Sequence, residues 1–70
     1  MTKYTASMAT WYAGSWHLDP ATETSRMDEQ DAILAGHALV AMGAFVLYYQ
    51  YVNGIRTATM IEENKKLRKI

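Results

Sequence analysis

The strongest constraint on this chain is an unbroken apolar run at residues 32–52, AILAGHALVAMGAFVLYYQYV. His37 and Gln50 are its only strongly polar side chains. A helix of that length, rising about 1.5 Å per residue, spans the roughly 30 Å hydrocarbon core of a bilayer. The sequence therefore predicts an all-α protein with one single-pass transmembrane helix. The competing interpretation is a buried helix in a soluble bundle, but the other residues are too few and too polar to surround it.

Charge is distributed unevenly on the two sides of this run. Residues 1–31 carry two basic and five acidic side chains, and residues 53–70 carry five basic and two acidic ones. Short flanks rich in Lys and Arg stay on the cytoplasmic side of a membrane. The expected location is a bacterial inner membrane or a thylakoid membrane. The N-terminus would lie in the periplasm or lumen, and the C-terminus in the cytoplasm or stroma.

Three segments are expected on this basis. Residues 1–24 form an interfacial arm rich in Trp and Tyr, residues 25–53 form the transmembrane helix, and residues 54–70 form a basic helical tail. Asn53-Gly54 is interpreted as the break at the helix end. Because aromatic rings favour the headgroup level, six side chains are expected to anchor the chain at the two interfaces: Trp11, Tyr12, Trp16, Tyr48, Tyr49 and Tyr51.

Small residues mark a packing face on the predicted helix. Ala32 and Gly36 lie four residues apart, and Gly36 and Gly43 lie seven apart. Helices associate in lipid by close approach, which small side chains permit. We therefore expect this face to pack against other membrane subunits of a large complex, with lipids as further partners of the chain. The alternative is an ordinary membrane anchor, in which alanine only favours the helix.

His37 is the most specific chemical feature of the run. An ionisable group within a membrane helix is costly and usually has a partner, and a neutral imidazole can coordinate a metal. Ala41 and Ala44 lie on the same helical face and leave room for a flat macrocycle. One histidine suffices for the magnesium of chlorophyll or bacteriochlorophyll, whereas a two-histidine haem site would need a ligand from a partner. The alternatives are a hydrogen bond to a neighbouring helix or contact with interfacial water.

The segment EQDAILAGHALVAMGAFVLYYQYVNG resembles the helix of one-helix, light-harvesting-like chlorophyll-binding proteins. The resemblance lies in the length, the acidic lead-in, the central glycine and the final Gly54. It implies a small photosystem-type subunit that binds chlorophyll, with carotenoid or lipid as further companions. The usual Glu, Asn and Arg of that family fall on Ala32, Ala35 and His37, so only His37 would replace a family ligand.

The functional expectation is a non-enzymatic accessory subunit of a photosynthetic membrane complex, which stabilises assembly and ligates one pigment through His37. A structural subunit of a respiratory complex and a free single-pass regulatory peptide are the alternatives. The chain shows no nucleophile–base pair, metal cluster or phosphate loop motif. Its basic tail is too short and too interrupted by acids to indicate nucleic-acid binding. No soluble substrate is expected either.

Overall fold

The apolar run at residues 32–52 is divided between a helix and a strand. A computed structural model of the chain describes residues 1–43, 45–63 and 66–70. Helix α1 (Glu29–Val40) ends inside the run, and strand β3 (Phe45–Val52) occupies its second half. Gly43 lies in the turn after the helix with φ of 84°, a conformation that glycine adopts without steric cost. The second half is rich in aromatic and β-branched residues, which favour a pleated strand.

The described residues form one five-stranded antiparallel sheet in the order β2-β1-β3-β4-β5. Its other strands are β1 (Thr2–Tyr12), β2 (Ser15–Leu18), β4 (Ile55–Glu63) and β5 (Lys66–Lys69). The long strands β1 and β3 pair at the centre, with Ala6 opposite Tyr48. Helix α1 packs against these two strands, so the central strands are covered on one face.

Two tight hairpins determine this topology. Ala13-Gly14 joins β1 to β2 with φ of 51° and 78°, and Asn53-Gly54 joins β3 to β4 with φ of 51° and 82°. Positive φ at both central residues is the signature of a type I′ turn, whose twist matches that of antiparallel strands. Asn-Gly is the most favourable dipeptide for this turn. The dipeptide interpreted from the sequence as a helix end therefore reverses a strand.

The hydrophobic core lies between the helix and the sheet. Ala32 and Gly36 are the buried residues of α1, and their small side chains let the helix approach the strands closely. The sheet contributes Tyr4, Ala6, Val46, Tyr48 and Met60 to this core. A Cβ on Gly36 would overlap the hydroxyl oxygen of Tyr48. The glycine is therefore needed because the tyrosine ring passes directly beneath it.

The segment between β2 and α1 protects the remaining edge of β1. The amide of Tyr4 donates to the carbonyl of Met27 at 2.7 Å, and the Met27 amide returns a bond of 2.9 Å to Tyr4. Threonine hydroxyls replace a strand partner further along, because Thr24 Oγ1 accepts from the Ala6 amide and Thr22 Oγ1 from the Met8 amide. These bonds satisfy edge groups that would otherwise be open to another chain.

The prediction of an all-α protein with a transmembrane helix at residues 25–53 is wrong. Among residues 1–43, 45–63 and 66–70, no helix has the length and apolar character needed to cross a membrane. Helix α1 has 12 residues, whereas a span requires about 20. The membrane and photosystem assignments, the thylakoid or inner-membrane location and the N-out orientation depended on that span and are corrected with it. Apolar content alone did not distinguish a long helix from a helix followed by a strand.

Candidate binding site at the tryptophan hairpin

The β1–β2 hairpin holds both tryptophans of the chain side by side. Trp11 and Trp16 are directly opposite each other in the strand pairing, and their ring centroids lie 5.2 Å apart at an interplanar angle of 74°. This edge-to-face arrangement is a favourable geometry for aromatic rings. Trp16 also contacts Phe45, with centroids 5.4 Å apart. Trp11 nevertheless remains 58% exposed and Phe45 66% exposed.

These aromatic rings lie on the face of the sheet opposite α1. Side chains alternate along a strand, and Tyr4 and Ala6 of β1 are in the core beneath the helix, so Trp11 points the other way. Leu47 shares this second face and is fully buried although the helix lies on the opposite face. The twist natural to sheets therefore coils this sheet enough to remove part of its second face from solvent.

A cleft of about 340 Å³ separates the hairpin from the far end of the sheet, and we call it the tryptophan cleft. Trp11, Gly14, Ser15 and Trp16 line one side, and Thr59 and Ile70 line the other. Ligand sites in proteins are concave and mostly apolar, with few polar groups. Two indole rings, an isoleucine and two hydroxyls match that description, so the cleft suits an apolar side chain or a flat ring.

A second depression of about 310 Å³, which we call the basic groove, is continuous with the cleft. Its lining residues are Arg56, Thr57, Ala58, Thr59, Lys69 and Ile70. Thr59 and Ile70 belong to both sites. The guanidinium of Arg56 lies over the Tyr49 ring, 4.4 Å from its centroid, a cation–π contact that orients the arginine. The two adjacent sites therefore present aromatic rings on one side and cations on the other.

The hairpin also brings Ser15 near His17. A serine beside a histidine is the arrangement of a catalytic nucleophile and its general base. Ser15 Oγ lies 3.1 Å from Nε2 of His17. The same nitrogen lies 3.1 Å from the carbonyl oxygen of Tyr12. The Tyr12 carbonyl accepts from Nε2 in the tautomer that carries the proton on this nitrogen, and Ser15 Oγ donates to Nε2 in the other tautomer. In the first tautomer Nε2 cannot take a proton from Ser15, which is the step that activates a serine nucleophile.

A second polar cluster lies between α1 and the sheet, away from the tryptophan cleft. His37 Nε2 is 2.7 Å from Oε1 of Glu62, and the Tyr48 hydroxyl donates to Oε2 at 2.9 Å. The Glu62 side chain is only 14% exposed. Burial first, and then the neighbouring Glu62 carboxylate, raise the pKa of the Tyr48 hydroxyl well above its ordinary value. Both carboxylate oxygens are engaged, so the cluster attaches the helix to β4.

The structure disperses the residues that the sequence grouped as a pigment site. His37 faces Glu62, Ala41 lies in the exposed turn after α1, and Ala44 lies outside the described residues. Ligation of chlorophyll or bacteriochlorophyll magnesium by His37 is not tested by these observations and stays a prediction. The same holds for carotenoid or lipid companions.

The other predicted site residues are partly brought together. Of the predicted packing residues, Ala32 and Gly36 are buried against the sheet, whereas Gly43 is exposed in a turn. Among the predicted anchors, Trp11 and Trp16 line the cleft. Tyr12 stacks on His17 with centroids 3.7 Å apart, and the remaining three lie on β3: Tyr48, Tyr49 and Tyr51.

Sequence reasoning missed the basic groove and the partner of His37. Arg56, Thr59 and Glu62 belonged to a segment expected to form a helical tail. The useful signal was Asn53-Gly54 between two runs rich in aromatic and β-branched residues, which indicates a hairpin. No protein-family model, curated protein or solved structure matches this chain.

Proposed function

We propose that this chain is a non-catalytic protein-binding module that accepts an apolar side chain of a partner protein in the tryptophan cleft. The supporting observation is the cleft itself, where two indole rings remain accessible beside Thr59 and Ile70. Tryptophan and arginine are enriched at the energetic centres of protein interfaces. The accessory, non-enzymatic role expected from the sequence is retained here without its membrane setting.

The chemistry of the cleft favours binding over catalysis. It is lined by the hydroxyls of Ser15 and Thr59, and the Tyr12 carbonyl competes with Ser15 for Nε2 of His17. Aromatic side chains supply large contact areas with few rotatable bonds, so ordering them on binding costs little entropy. The cleft therefore has what an apolar anchor requires, and a reaction would need groups from elsewhere.

The test is a selection of random twelve-residue peptides, displayed on phage, for binding to the full chain. Selected peptides should change the tryptophan fluorescence, because the only two tryptophans of the protein line the cleft. Trp11→Ala should weaken their binding by roughly 30-fold, the effect of losing a central aromatic contact of about 2 kcal/mol.

Tyr12→Ala is the matched control for this substitution. Tyr12 is the next residue on the same strand and is 56% exposed, close to the 58% of Trp11, but it stacks on His17 and its side chain points to the other face. Binding should be unchanged in this variant. A selection that yields no peptide, or peptides whose affinity falls equally in both variants, contradicts the proposed function.

A further inference from the structure

The free edge of β4 adjoins the basic groove. Strand β5 pairs with residues 60–63 of β4, and the Ile70 amide extends this pairing by one bond to the Thr59 carbonyl at 3.1 Å. Within the described part of the chain, residues 55–58 have a strand partner only on the β3 side. Such an edge presents backbone groups that an added strand can pair with.

The cations of the groove are available to an incoming ligand. Within residues 1–43, 45–63 and 66–70, the salt bridges engage Lys3, His37 and Arg68, and none engages Arg56 or Lys69. No carboxylate side chain is among the residues that line the groove. Arg56 rests on an aromatic ring, which leaves the outer side of its guanidinium accessible to a carboxylate. Charge complementarity therefore favours an acidic occupant.

We propose that the partner segment is acidic and extended, and that it adds to the edge of β4 as a strand in line with β5. This inference rests on the proposed function and adds the chemistry of the partner. Acidic side chains of the segment contact the cations that line the groove, Arg56 and Lys69, and an apolar side chain beyond Thr59 and Ile70 enters the tryptophan cleft. Backbone pairing supplies affinity in this mode, and the alternate side chains supply specificity.

A peptide fits these observations better than a nucleic acid does. The chain has a formal net charge of zero and a sequence pI of about 6.7, whereas nucleic-acid-binding domains usually carry a strong basic excess. The free strand edge has no function in stacking bases, but it is the required surface for strand addition. A single-stranded oligonucleotide therefore serves as a competing probe in the test.

The experiment uses two ten-residue peptides, each acetylated, amidated and carrying one central Phe. One peptide alternates Val and Glu, and the other alternates Val and Lys. Each is titrated into the ¹⁵N-labelled full chain and followed by amide NMR shifts. The Val-Glu peptide should shift the amides of residues 55–59 and both indole N–H signals, and should bind at least tenfold more tightly than the Val-Lys peptide. N-methylation of alternate backbone amides should abolish its binding.

Two lysines of β5 provide a matched pair for the charge prediction. Lys69 lines the groove, whereas Lys66 lies at the other end of the same strand opposite Glu63. Lys69→Glu should weaken the Val-Glu peptide by about five- to tenfold, and Lys66→Glu should change its affinity by less than twofold. Equal weakening in the two variants indicates general attraction and overturns the proposal.

The remaining outcomes separate this inference from the proposed function. Shifts of the indole signals without shifts at residues 55–59 overturn strand addition and leave the tryptophan cleft as a binding site. Tighter binding of a ten-residue oligothymidine than of the Val-Glu peptide overturns the acidic-peptide assignment. If the phage selection also yields no binder, the proposed function itself fails.

Discussion

Gly36 of α1 is buried directly over the ring of Tyr48, so a side chain at this position has no room. Gly36→Ala should destabilise the fold by about 1–3 kcal/mol, the usual cost of overpacking a core. The added Cβ would lie 2.7 Å from Cζ of a ring that is fully buried and hydrogen-bonded to Glu62. Urea unfolding followed by circular dichroism measures this change.

The control for Gly36→Ala separates packing from helix propensity. Alanine favours a helix over glycine by about 1 kcal/mol, so propensity alone would stabilise the variant. Ala38→Gly, on the exposed side of α1, should lose only that propensity. If Gly36→Ala stabilises the protein, the close approach of helix and tyrosine described above is incorrect.

The sequence indicated a helix within the apolar run but not where that helix ends. The first part of the apolar run is rich in alanine and leucine and does form α1, as expected for good helix formers. The second part, FVLYYQYV, contains β-branched and aromatic residues and is followed by Asn-Gly. Those local signals favour a strand and a hairpin. The transmembrane interpretation relied on the apolar length of the whole run. Apolar length does not distinguish the periodicity of a helix from that of a strand, so these local signals were not used.

The two hairpin turns provide a test of this corrected interpretation. Gly54 has φ of 82°, so Gly54→Ala should destabilise the protein by about 1–2 kcal/mol, the cost of left-handed backbone for a residue with a Cβ. In a helix the same change would stabilise. Ala13 already has that strain at φ of 51°.

Ala13→Asn is the companion change at the other turn, since asparagine tolerates this conformation. It should stabilise the protein by up to about 1 kcal/mol. Thermal unfolding should therefore give a lower midpoint temperature for Gly54→Ala and a higher one for Ala13→Asn than for the unchanged protein. Midpoints shifted in the same direction would contradict the type I′ assignment.

The topology and twist of the sheet explain why the candidate site could not be predicted from the sequence. Trp11 and Trp16 are separated from Thr59 and Ile70 by more than forty residues, and they meet only because the sheet coils. No local period encodes that coil, which arises from strand order and twist. The two tryptophans marked residues 1–24 as an interaction segment in the sequence, although as a membrane-interfacial arm and not as a hairpin. The opposite wall, with its arginine and lysine, required the topology.

The stability of the whole domain should fall steeply in alkaline solution, because two core tyrosines hold their protons more tightly when folded. Burial is the main cause that raises the pKa of both Tyr48 and Tyr4. Below about pH 10, the ordinary tyrosine pKa, both states are protonated and the full stability is present. Above it the unfolded chain releases protons that the folded one retains, so each tyrosine lowers the free energy of unfolding by up to about 1.4 kcal/mol per pH unit.

Urea unfolding between pH 8 and pH 11 measures this slope. Tyr48→Phe should make the slope shallower. Equal slopes in the variant and the unchanged protein would show that Tyr48 does not retain its proton in the folded state.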